Sequence, residues 1–513
     1  MTYVPIQHPT MNRQHMIQQL DSTPEWDICI IGGGATGLGT ALDAASRSFK
    51  TILFEQHDFA KGTSSRSTKL VHGGVRYLQQ GNIKLVMEAL RERGLLMKNA
   101  PHLVHNQKFV VPNYKWWEKS FYGIGLKIYD KMAGKLGLGP SQFLSKEEIL
   151  QLVPTLDPED LKGGVLYHDG QFDDARLAIS IAQTAVQQGG TLLNYFPVSG
   201  LLKINKKVCG VWVKDFFSGK DYEVKSKVVI NATGVFTDAI MKMDDAKHKS
   251  IISPSQGIHL VVDKDFLPGD TAIMIPRTDD GRVLFAVPWH DKIVLGTTDT
   301  PVDAISAEPI PLQEEIEFIL KHIGRYLSKD PQLSDVRSMF AGLRPLVKGK
   351  TKKTAALSRD HLITIGDSGL ITITGGKWTT YRKMAEDVVD IAIKQFGLPQ
   401  RSCVTNELKL NGYDKPVGPV EIISLNNIEL KALIKKSVEE EMCMTVEDFL
   451  SRRTRQLLLD AKAAMAISPQ VAQLMAEELK KDDNWIKEQI DNFNAIANNY
   501  LPNQNNQHGT AYS

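Results

Sequence analysis

The fold is decided by residues 26–39, which read Trp26-Asp27-Ile28-Cys29-Ile30-Ile31-Gly32-Gly33-Gly34-Ala35-Thr36-Gly37-Leu38-Gly39. The apolar run 28–31 predicts a buried parallel strand, and the small residues that follow predict a closely packed helix. Gly32 permits the tight turn, Gly34 lets the backbone approach a pyrophosphate, and Gly37 lets the helix pack on the strand. Free N–H groups at the helix start favour an anion. The stretch therefore predicts a dinucleotide site.

A second predicted strand, residues 51–54, ends at Glu55. An acidic side chain about 20 residues beyond the glycines is placed to bind ribose hydroxyls in this fold. A glycine motif alone is weak evidence, but here the strand, the helix and the acid occur in the order that the fold requires. We therefore predict Glu55 as a cofactor ligand.

Composition excludes several classes of protein. The chain has 513 residues, enough for two or three domains with large cores. Lys and Arg total 61 against 59 Asp and Glu, and a net charge of +2 argues against a nucleic-acid binder. The four cysteines show no C-x-x-C and no metal-ligand spacing, so we predict no metal site and a reducing compartment.

The N-terminal residues and the hydropathy give two further expectations. No apolar run approaches the roughly 18 residues of a membrane-spanning helix. Residues 1–25 are polar and lack the apolar centre of a secretion signal, so we predict a loose tail.

A loop rich in hydroxyl groups, residues 63–78, follows the second strand. Beside a dinucleotide fold it is expected to wrap the phosphates and the ring of the cofactor. A solvated serine-rich loop would not explain the glycine pair at 73–74 followed by Arg76 and Tyr77. The predicted cofactor contacts from this loop are Ser64, Ser65, Lys69, Leu70, His72 and Gly73.

Lysines alternate with aromatic residues in segment 115–136. Such a mixture suits a segment that lies in a membrane interface. Core packing of the aromatic residues, with the lysines in solvent, explains the same pattern. Both interpretations stay open.

The middle of the chain indicates a flavin. Short strands with turns fill residues 191–229, and a final strand then enters Asn231-Ala232-Thr233-Gly234, where Ala232 and Gly234 are predicted to contact the cofactor. A meander inserted between sheet strands favours flavin over nicotinamide, because simple nicotinamide folds connect their strands by helices. Strands in residues 250–300 are expected to form a second sheet over the flavin ring.

A second strand–glycine–helix junction follows the apolar run 370–373. The start of its helix can face the N1–C2=O edge of a flavin, where negative charge develops on reduction. The predicted cofactor contacts here are Gly376, Lys377, Trp378 and Thr379. From about residue 400 the pattern is helical, including helices over 446–464 and 484–500, and residues 503–513 are expected to fray.

Several motifs together resemble the FAD-dependent glycerol-3-phosphate dehydrogenases. They are 31–37, 63–78, Asp173-Asp174-Ala175-Arg176-Leu177, Gly296-Thr297-Thr298-Asp299, Gly342-Leu343-Arg344-Pro345-Leu346, 375–383 and Asp448-Phe449-Leu450 with Arg452-Arg453-Thr454. The resemblance covers about residues 26–500. It implies oxidation of sn-glycerol 3-phosphate to dihydroxyacetone phosphate, with the electrons passing from non-covalently bound FAD to a membrane quinone.

The resemblance also implies an architecture. It is an α/β fold with an FAD-binding Rossmann-like domain of the glutathione-reductase and D-amino-acid-oxidase type, a β-sheet substrate domain and a C-terminal helical domain. The oxidoreductase body is expected over residues 26–400, with the substrate sheet mainly in 250–350, and the helical domain over 401–502. A peripheral position on the inner face of the cytoplasmic membrane and a homodimer are expected as well.

By matching position, the substrate pocket would be lined by Arg76, Tyr77, His259, Arg344, Arg359 and Lys377. His259 is the predicted base because an ordinary histidine titrates near neutrality, although it could instead be a hydrogen-bonded core residue. Arg344 matches a rival base, but a guanidinium stays protonated and better holds a phosphate, together with Arg359. Lys377 is expected to stabilise negative charge on the reduced flavin or the substrate oxygen.

Some residues depart from the family pattern. Gln256 stands where a lysine is common, and Val235-Phe236 replaces the usual Pro- or Ala-Trp. The chain shows no EF-hand pattern, which favours a bacterial type of the enzyme. The alternatives are a glycerol-3-phosphate oxidase that uses oxygen, an amine or amino-acid oxidase of similar fold, and a non-catalytic protein stabilised by flavin.

Overall fold

The computed structural model describes residues 10–74, 82–115, 118–276, 278–348, 361–414 and 422–502. The helices are α1 Arg13–Ser22, α2 Ala35–Ser46, α3 Ile83–Asn99, α4 Glu118–Ala133, α5 Lys146–Leu152, α6 Asp174–Gln187, α7 Thr237–Asp244, α8 Gln313–Gly324, α9 Tyr381–Phe396, α10 Asn427–Glu441, α11 Gln456–Leu459, α12 Ala461–Leu479 and α13 Asp483–Ala497. The strands are β1 Trp26–Ile31, β2 Thr51–Phe54, β3 Leu70–Val71, β4 Val104–Asn113, β5 Gln142–Leu144, β6 Gly163–Phe172, β7 Thr191–Leu193, β8 Val198–Ile204, β9 Lys207–Lys214, β10 Asp221–Asn231, β11 Ile252–Asp263, β12 Thr271–Ile275, β13 Leu284–Trp289, β14 Lys292–Gly296, β15 Thr300–Pro301, β16 Val336–Val347, β17 His361–Ile365 and β18 Ile371–Gly375.

The first sheet is the predicted dinucleotide sheet. Its strands follow the order β17-β18-β10-β1-β2-β7, and β1 pairs in parallel with both β2 and β10. The apolar run 28–31 is buried because helices cover both faces of such a sheet. The meander β8–β9–β10 extends from this sheet, as predicted, since β10 pairs with β9 and with β1.

The second sheet is larger than the strands predicted in 250–300. It joins β11 to β15, from residues 252–301, and β16, from residues 336–347, with β3, β4, β5 and β6 from residues 70–172. The strands follow the path β15-β11-β14-β13-β12-β4-β6-β3, and beside this path β16 pairs with β11 and β5 with β6. Strands β11 and β16 are antiparallel neighbours, and their register sets His259 opposite Phe340. Helix α8 lies between β15 and β16 in the chain.

The prediction of a loose tail over residues 1–25 is wrong for its described part. Helix α1 buries Met16 and Leu20, and Arg13 forms an ion pair of 2.6 Å with Asp215. Arg13 also donates to the carbonyl oxygen of Asn194. Two apolar residues four positions apart suffice to dock one face of a short helix, and such a pattern is too brief to stand out in a polar segment.

The helix predicted over 446–464 is broken in the structure. A π-helical turn, Asp448–Arg453, is followed by α11 and then by α12, and Arg455 between the first two has φ of 62°. Asp460 caps the start of α12 by accepting from the N–H of Ala463. Residues 401–414, in the first part of the predicted helical domain, contain no helix and pack on the dinucleotide domain, where Cys403 donates to Asp43. The first helical turn described after them is Ile422–Ser424.

Segment 115–136 forms α4, which has one buried and one exposed face. Tyr122, Leu126 and Tyr129 are buried, whereas Ile124 is 61% and Ile128 49% exposed. The core interpretation of this segment therefore holds for its two described tyrosines, and two isoleucines remain on the surface. Among the described residues, no helix has the length and apolar character needed to cross a membrane.

The π-helical turn provides a stability prediction. Arg453 donates to both oxygens of Asp58, at 2.8 and 2.9 Å, and both side chains are buried. We expect Arg453→Met to cost about 3–5 kcal/mol, because it removes a partner from a buried charge. Thermal unfolding with and without FAD measures this loss. The control is Arg337→Met, whose ion pair with Asp263 is half-exposed and contributes about 1 kcal/mol or less. Equal melting temperatures for the two variants would contradict the prediction.

Candidate active site

A cavity of about 280 Å³, which we call the cofactor cavity, begins at the N-terminus of α2. It continues past the end of β10 to the second glycine turn after β18. Its walls include many of the predicted cofactor contacts, namely Gly32, Gly34, Glu55, Ser64, Ala232, Gly234, Gly376, Lys377 and Trp378. Residues from the two glycine turns, far apart in sequence, therefore face one elongated space.

Close contacts explain why glycines occupy the first turn. Gly32 has φ of 110°, and a Cβ there would lie 2.7 Å from the carbonyl oxygen of Ala232. A Cβ on Gly37 would lie 1.8 Å from the carbonyl oxygen of Gly32, so this glycine permits the contact between helix and strand. Gly34 lines the cavity, and a Cβ there would reach the Ser64 hydroxyl at 3.1 Å.

Glu55 and Ser64 already hold the backbone around this turn. The Glu55 carboxylate accepts from the N–H groups of Gly33, at 2.6 Å, and His57, at 2.8 Å. Burial raises the pKa of Glu55 above its ordinary value. The Ser64 hydroxyl accepts from the N–H of Ala35 at 2.9 Å and so satisfies one donor at the start of α2.

A second cavity of about 190 Å³, which we call the reaction cavity, adjoins the first. The two share Thr63, Pro345, Gly375, Gly376, Lys377 and Trp378. The reaction cavity brings together His259 from β11, Arg344 from β16 and Lys377, which are the three residues predicted to be catalytic. Leu70, His72 and Thr379 from the predicted cofactor set also line it.

His259 is buried, with 2% of its surface exposed. Its Nε2 lies 2.9 Å from the Thr68 hydroxyl, and its ring stacks on Phe340 at 4.9 Å between centroids. Nδ1 has no hydrogen-bond partner among the described residues. Burial and the charges of Lys69 and Arg344 hold the pKa of His259 well below its usual value, so the imidazole is neutral at pH 7.

Arg344 is fixed by oxygen atoms at the end of β14. One guanidinium nitrogen donates to the Thr298 carbonyl at 2.9 Å and to the Thr297 hydroxyl at 3.2 Å, and the other lies 3.4 Å from Asp299. A Cβ on Gly257 would lie 2.3 Å from this guanidinium, so a glycine there lets it approach the strand. Gln256, the departure noted next to it, instead donates to Glu315 at 2.8 Å.

Three predicted cofactor contacts face elsewhere. The Lys69 ammonium is enclosed by Asp174 at 2.7 Å, and the Ser65 carbonyl accepts from the same ammonium. Gly73 donates its N–H to the Tyr129 hydroxyl at 2.8 Å, and a Cβ on it would strike Leu90 and Tyr129. Lys69, Ser65 and Gly73 line neither cavity, and their contact with the cofactor stays a prediction. The predicted substrate ligands Arg76, Tyr77 and Arg359 lie outside the described residues.

A third cavity of about 180 Å³ was not predicted. It shares Thr68, Leu70, His72 and Arg344 with the reaction cavity. Its other walls include four aromatic residues, Phe109, Tyr122, Tyr167 and Phe285, together with polar and charged ones. Thr68 lay within the predicted loop, but its hydroxyl was not distinguished from its neighbours there. The aromatic residues come from four separate segments, so no local pattern could indicate them.

These cavities fit a flavin dinucleotide. The cofactor cavity offers a glycine turn at a helix N-terminus, an acid at the end of β2 and a second glycine turn at the reaction cavity. This order matches a pyrophosphate, a ribose and a ring that reaches the reacting groups. The fold and the site define an FAD-dependent oxidoreductase.

Comparisons with known proteins agree with this class. A family model described as FAD dependent oxidoreductase matches residues 27–382, and one described as the C-terminal domain of alpha-glycerophosphate oxidase matches residues 421–486. The mitochondrial glycerol-3-phosphate dehydrogenase of Macaca fascicularis is 40% identical, over 95% of this chain and 75% of its own length. The mitochondrial enzyme of Schizosaccharomyces pombe is 36% identical, over 93% of this chain and 87% of its own.

A solved structure agrees as well. The glycerol-3-phosphate dehydrogenase from Bacillus halodurans, complexed with FAD, has a TM-score of 0.77 and 29% identity, and the match covers 96% of this chain and 98% of that one. The chain belongs to the family of FAD-dependent glycerol-3-phosphate dehydrogenases. The predicted fold class and the FAD cofactor are thereby confirmed.

Proposed function

We propose that this enzyme oxidises sn-glycerol 3-phosphate to dihydroxyacetone phosphate and passes the electrons to a membrane quinone. The observation that carries the proposal is the reaction cavity, where an imidazole, a guanidinium and an ammonium meet beside the cofactor cavity. Bound FAD, held without a covalent bond, supplies the acceptor for the hydride that leaves C2. The family membership supports the substrate.

The roles follow from the chemistry of each group. His259, neutral because of its low pKa, accepts the proton of the C2 hydroxyl. Arg344 is permanently charged and held at the cavity wall, so it binds the phosphate or the developing oxyanion. Lys377 lines both cavities and stabilises negative charge where they meet. Arg76, Tyr77 and Arg359 stay predicted phosphate ligands.

The reductive and oxidative half-reactions test the function separately. Anaerobic glycerol 3-phosphate should bleach the flavin absorbance of the holoenzyme, whereas glycerol should not, because it lacks the phosphate. The bleached enzyme is then mixed with a short-chain quinone or with oxygen. Fast reoxidation by the quinone and slow reoxidation by oxygen are expected. The reverse order would identify the oxidase alternative, and a lack of bleaching would refute the catalytic assignment.

A substitution tests His259 as the base. His259→Asn keeps the size and some hydrogen bonding but removes the proton acceptor, so flavin reduction at saturating substrate should slow by about 10²–10⁴-fold. In the parent enzyme the rate should stay level as pH falls from about 7.5 to 6.5, because the lowered pKa keeps the imidazole neutral there. Stopped-flow absorbance measures both. A parent-like reduction rate for His259→Asn would remove it as the base.

We propose further that α4 docks the enzyme peripherally on the inner face of the cytoplasmic membrane, where a lipid-dissolved quinone is reached. Ile124 and Ile128 lie one turn apart on its exposed face. Phe143 is 41% exposed beside them, and the Lys127 ammonium lies 4.9 Å from the centre of its ring. Apolar side chains with flanking lysines suit a lipid headgroup surface. A homodimer remains a prediction.

The docking face can be tested apart from the chemistry. Ile124→Ser with Ile128→Ser should lower binding to anionic phospholipid vesicles, and Lys127→Glu with Lys131→Glu should lower it most at low salt. Flavin reduction should stay unchanged in both variants. Ile204→Ser is the matched control, since Ile204 is 64% exposed on β8. Vesicle binding that falls equally for the control, or not at all, would exclude this face.

A further inference from the structure

We propose that the buried ion pair of Lys69 and Asp174 positions the base His259 through Thr68. Lys69 is then a positioning residue and not the cofactor ligand that its place in the loop indicates. This inference rests on the proposed function, because it takes His259 as the proton acceptor. It also gives a role to the Asp173-Asp174 motif, which lies outside the cofactor and reaction cavities.

Asp174 binds both chain neighbours of Thr68. Its carboxylate oxygens lie 2.7 and 2.8 Å from the Lys69 ammonium, and neither side chain is exposed. The same carboxylate accepts from the N–H of Ser67 at 3.1 Å and from the Ser67 hydroxyl at 2.7 Å. Ser67 and Lys69 are the two chain neighbours of Thr68, so one carboxylate fixes the position of this residue.

Thr68 in turn contacts the base. Its hydroxyl lies 2.9 Å from Nε2 of His259, which sets the orientation of the imidazole and, through this hydrogen bond, its tautomer. If Nε2–H donates to the hydroxyl, Nδ1 keeps the lone pair, and Nδ1 is the nitrogen without a partner among the described residues. A Thr68 side chain held on both sides thus fixes the orientation of the imidazole that lines the reaction cavity.

Lys69 reaches His259 from a second direction. Its ammonium lies 4.8 Å from the ring centre of Trp289 and 5.2 Å from that of Phe340. Phe340 stacks on the imidazole. The ammonium therefore packs against the aromatic wall behind the base, and movement of Lys69 would disturb both contacts of His259.

Stability alone does not explain why the charges of Lys69 and Asp174 are buried. Replacement of such a pair by apolar groups is often neutral or stabilising, so positioning is a better account of why two charges are buried here. The pair is supported from the C-terminal helices, since Arg455 lies 2.8 Å from Asp173, the neighbour of Asp174. Asp173 also begins α6 by accepting from the N–H of Arg176.

The charges around His259 predict how its titration responds. Lys69 faces it from the loop before β3, Arg344 from β16 and Lys377 across the reaction cavity; Asp174 lies behind Lys69 and Asp299 behind Arg344. Removal of Lys69 alone takes away a positive charge and exposes the imidazole to the Asp174 carboxylate. The pKa of His259 should then rise. Removal of both charges should restore it in large part.

The test compares flavin reduction at pH 7.5 and 6.0, at saturating glycerol 3-phosphate, in FAD-loaded enzymes. The parent should give a rate ratio near one, whereas Lys69→Met should reduce the flavin more slowly at pH 6.0 than at pH 7.5, because part of the base becomes protonated. The double variant Lys69→Met/Asp174→Asn should return toward the parent ratio. Arg176→Met is the matched control: it breaks a buried ion pair with Glu441 in the same motif, without contact to residues 67–69.

A mutant cycle keeps the test decisive if Lys69→Met does not fold. Thr68→Val should slow flavin reduction about tenfold when it is made in the parent enzyme. Made in the double variant Lys69→Met/Asp174→Asn, it should slow flavin reduction clearly less, because the effects of substitutions at coupled positions are not additive. Additive effects would overturn the proposal. The proposal would also be overturned if Lys69→Met gave equal rates of flavin reduction at pH 7.5 and 6.0 and bound FAD more weakly. That result would make Lys69 a cofactor ligand. Fast reduction by His259→Asn would instead refute the proposed base itself.

Discussion

The buried carboxylate of Asp58, in the loop after β2, binds two arginines of the C-terminal helical region. It accepts from Arg452 at 2.5 Å and from both nitrogens of the Arg453 fork. Burial alone would raise the pKa of Asp58, but the charges of Arg453 and Arg452 outweigh it and lower the pKa. Charge-assisted, bidentate bonds of this kind fix geometry as well as energy. Buried ion pairs therefore join the loop after β2 to the helical C-terminal region.

Further charges extend these contacts toward the cofactor. Glu447, beside Asp448 at the start of the π-helical turn, lies 2.6 Å from Lys61, and Lys61 lines the cofactor cavity. Arg66, which lines the reaction cavity, pairs with Glu308, and Tyr500 near the C-terminus donates to the same carboxylate. The C-terminal helices thus support the loop on which several cavity residues stand, and the break in the predicted helix at 446–464 lets Arg452 and Arg453 turn inward.

The position of the site follows from the same arrangement. Strands β11 and β16 bring His259 and Arg344 to one wall, and the turn after β18 brings Lys377 to the other. The neutral state of the imidazole is a property of this assembly, because burial and two neighbouring positive charges lower its pKa. An isolated histidine would be partly protonated near pH 7, whereas this one is unprotonated there, although its lower pKa also makes it the weaker base.

Local patterns determined much of this protein. The glycine turn, its strand and helix, Glu55, the second glycine junction and the flavin class depend on residues that are neighbours in sequence. The steric need for Gly37 is local too, because it comes from the carbonyl oxygen of Gly32, whereas that for Gly32 comes from Ala232 in a distant strand end. The resemblance supplied His259, Arg344 and Lys377, which the fold brings into one cavity.

Only the tertiary structure decided what depends on distant partners. The Lys69 ammonium donates to Asp174, 105 positions away in the sequence. The sequence of α1 predicted a loose tail, but its side chains Met16 and Leu20 are buried in the core. The helix predicted over 446–464 is interrupted where buried arginines donate to the carboxylate of Asp58. Periodicity and motif spacing report the interactions within one element, whereas the partner of a buried charge is set by how separate elements pack.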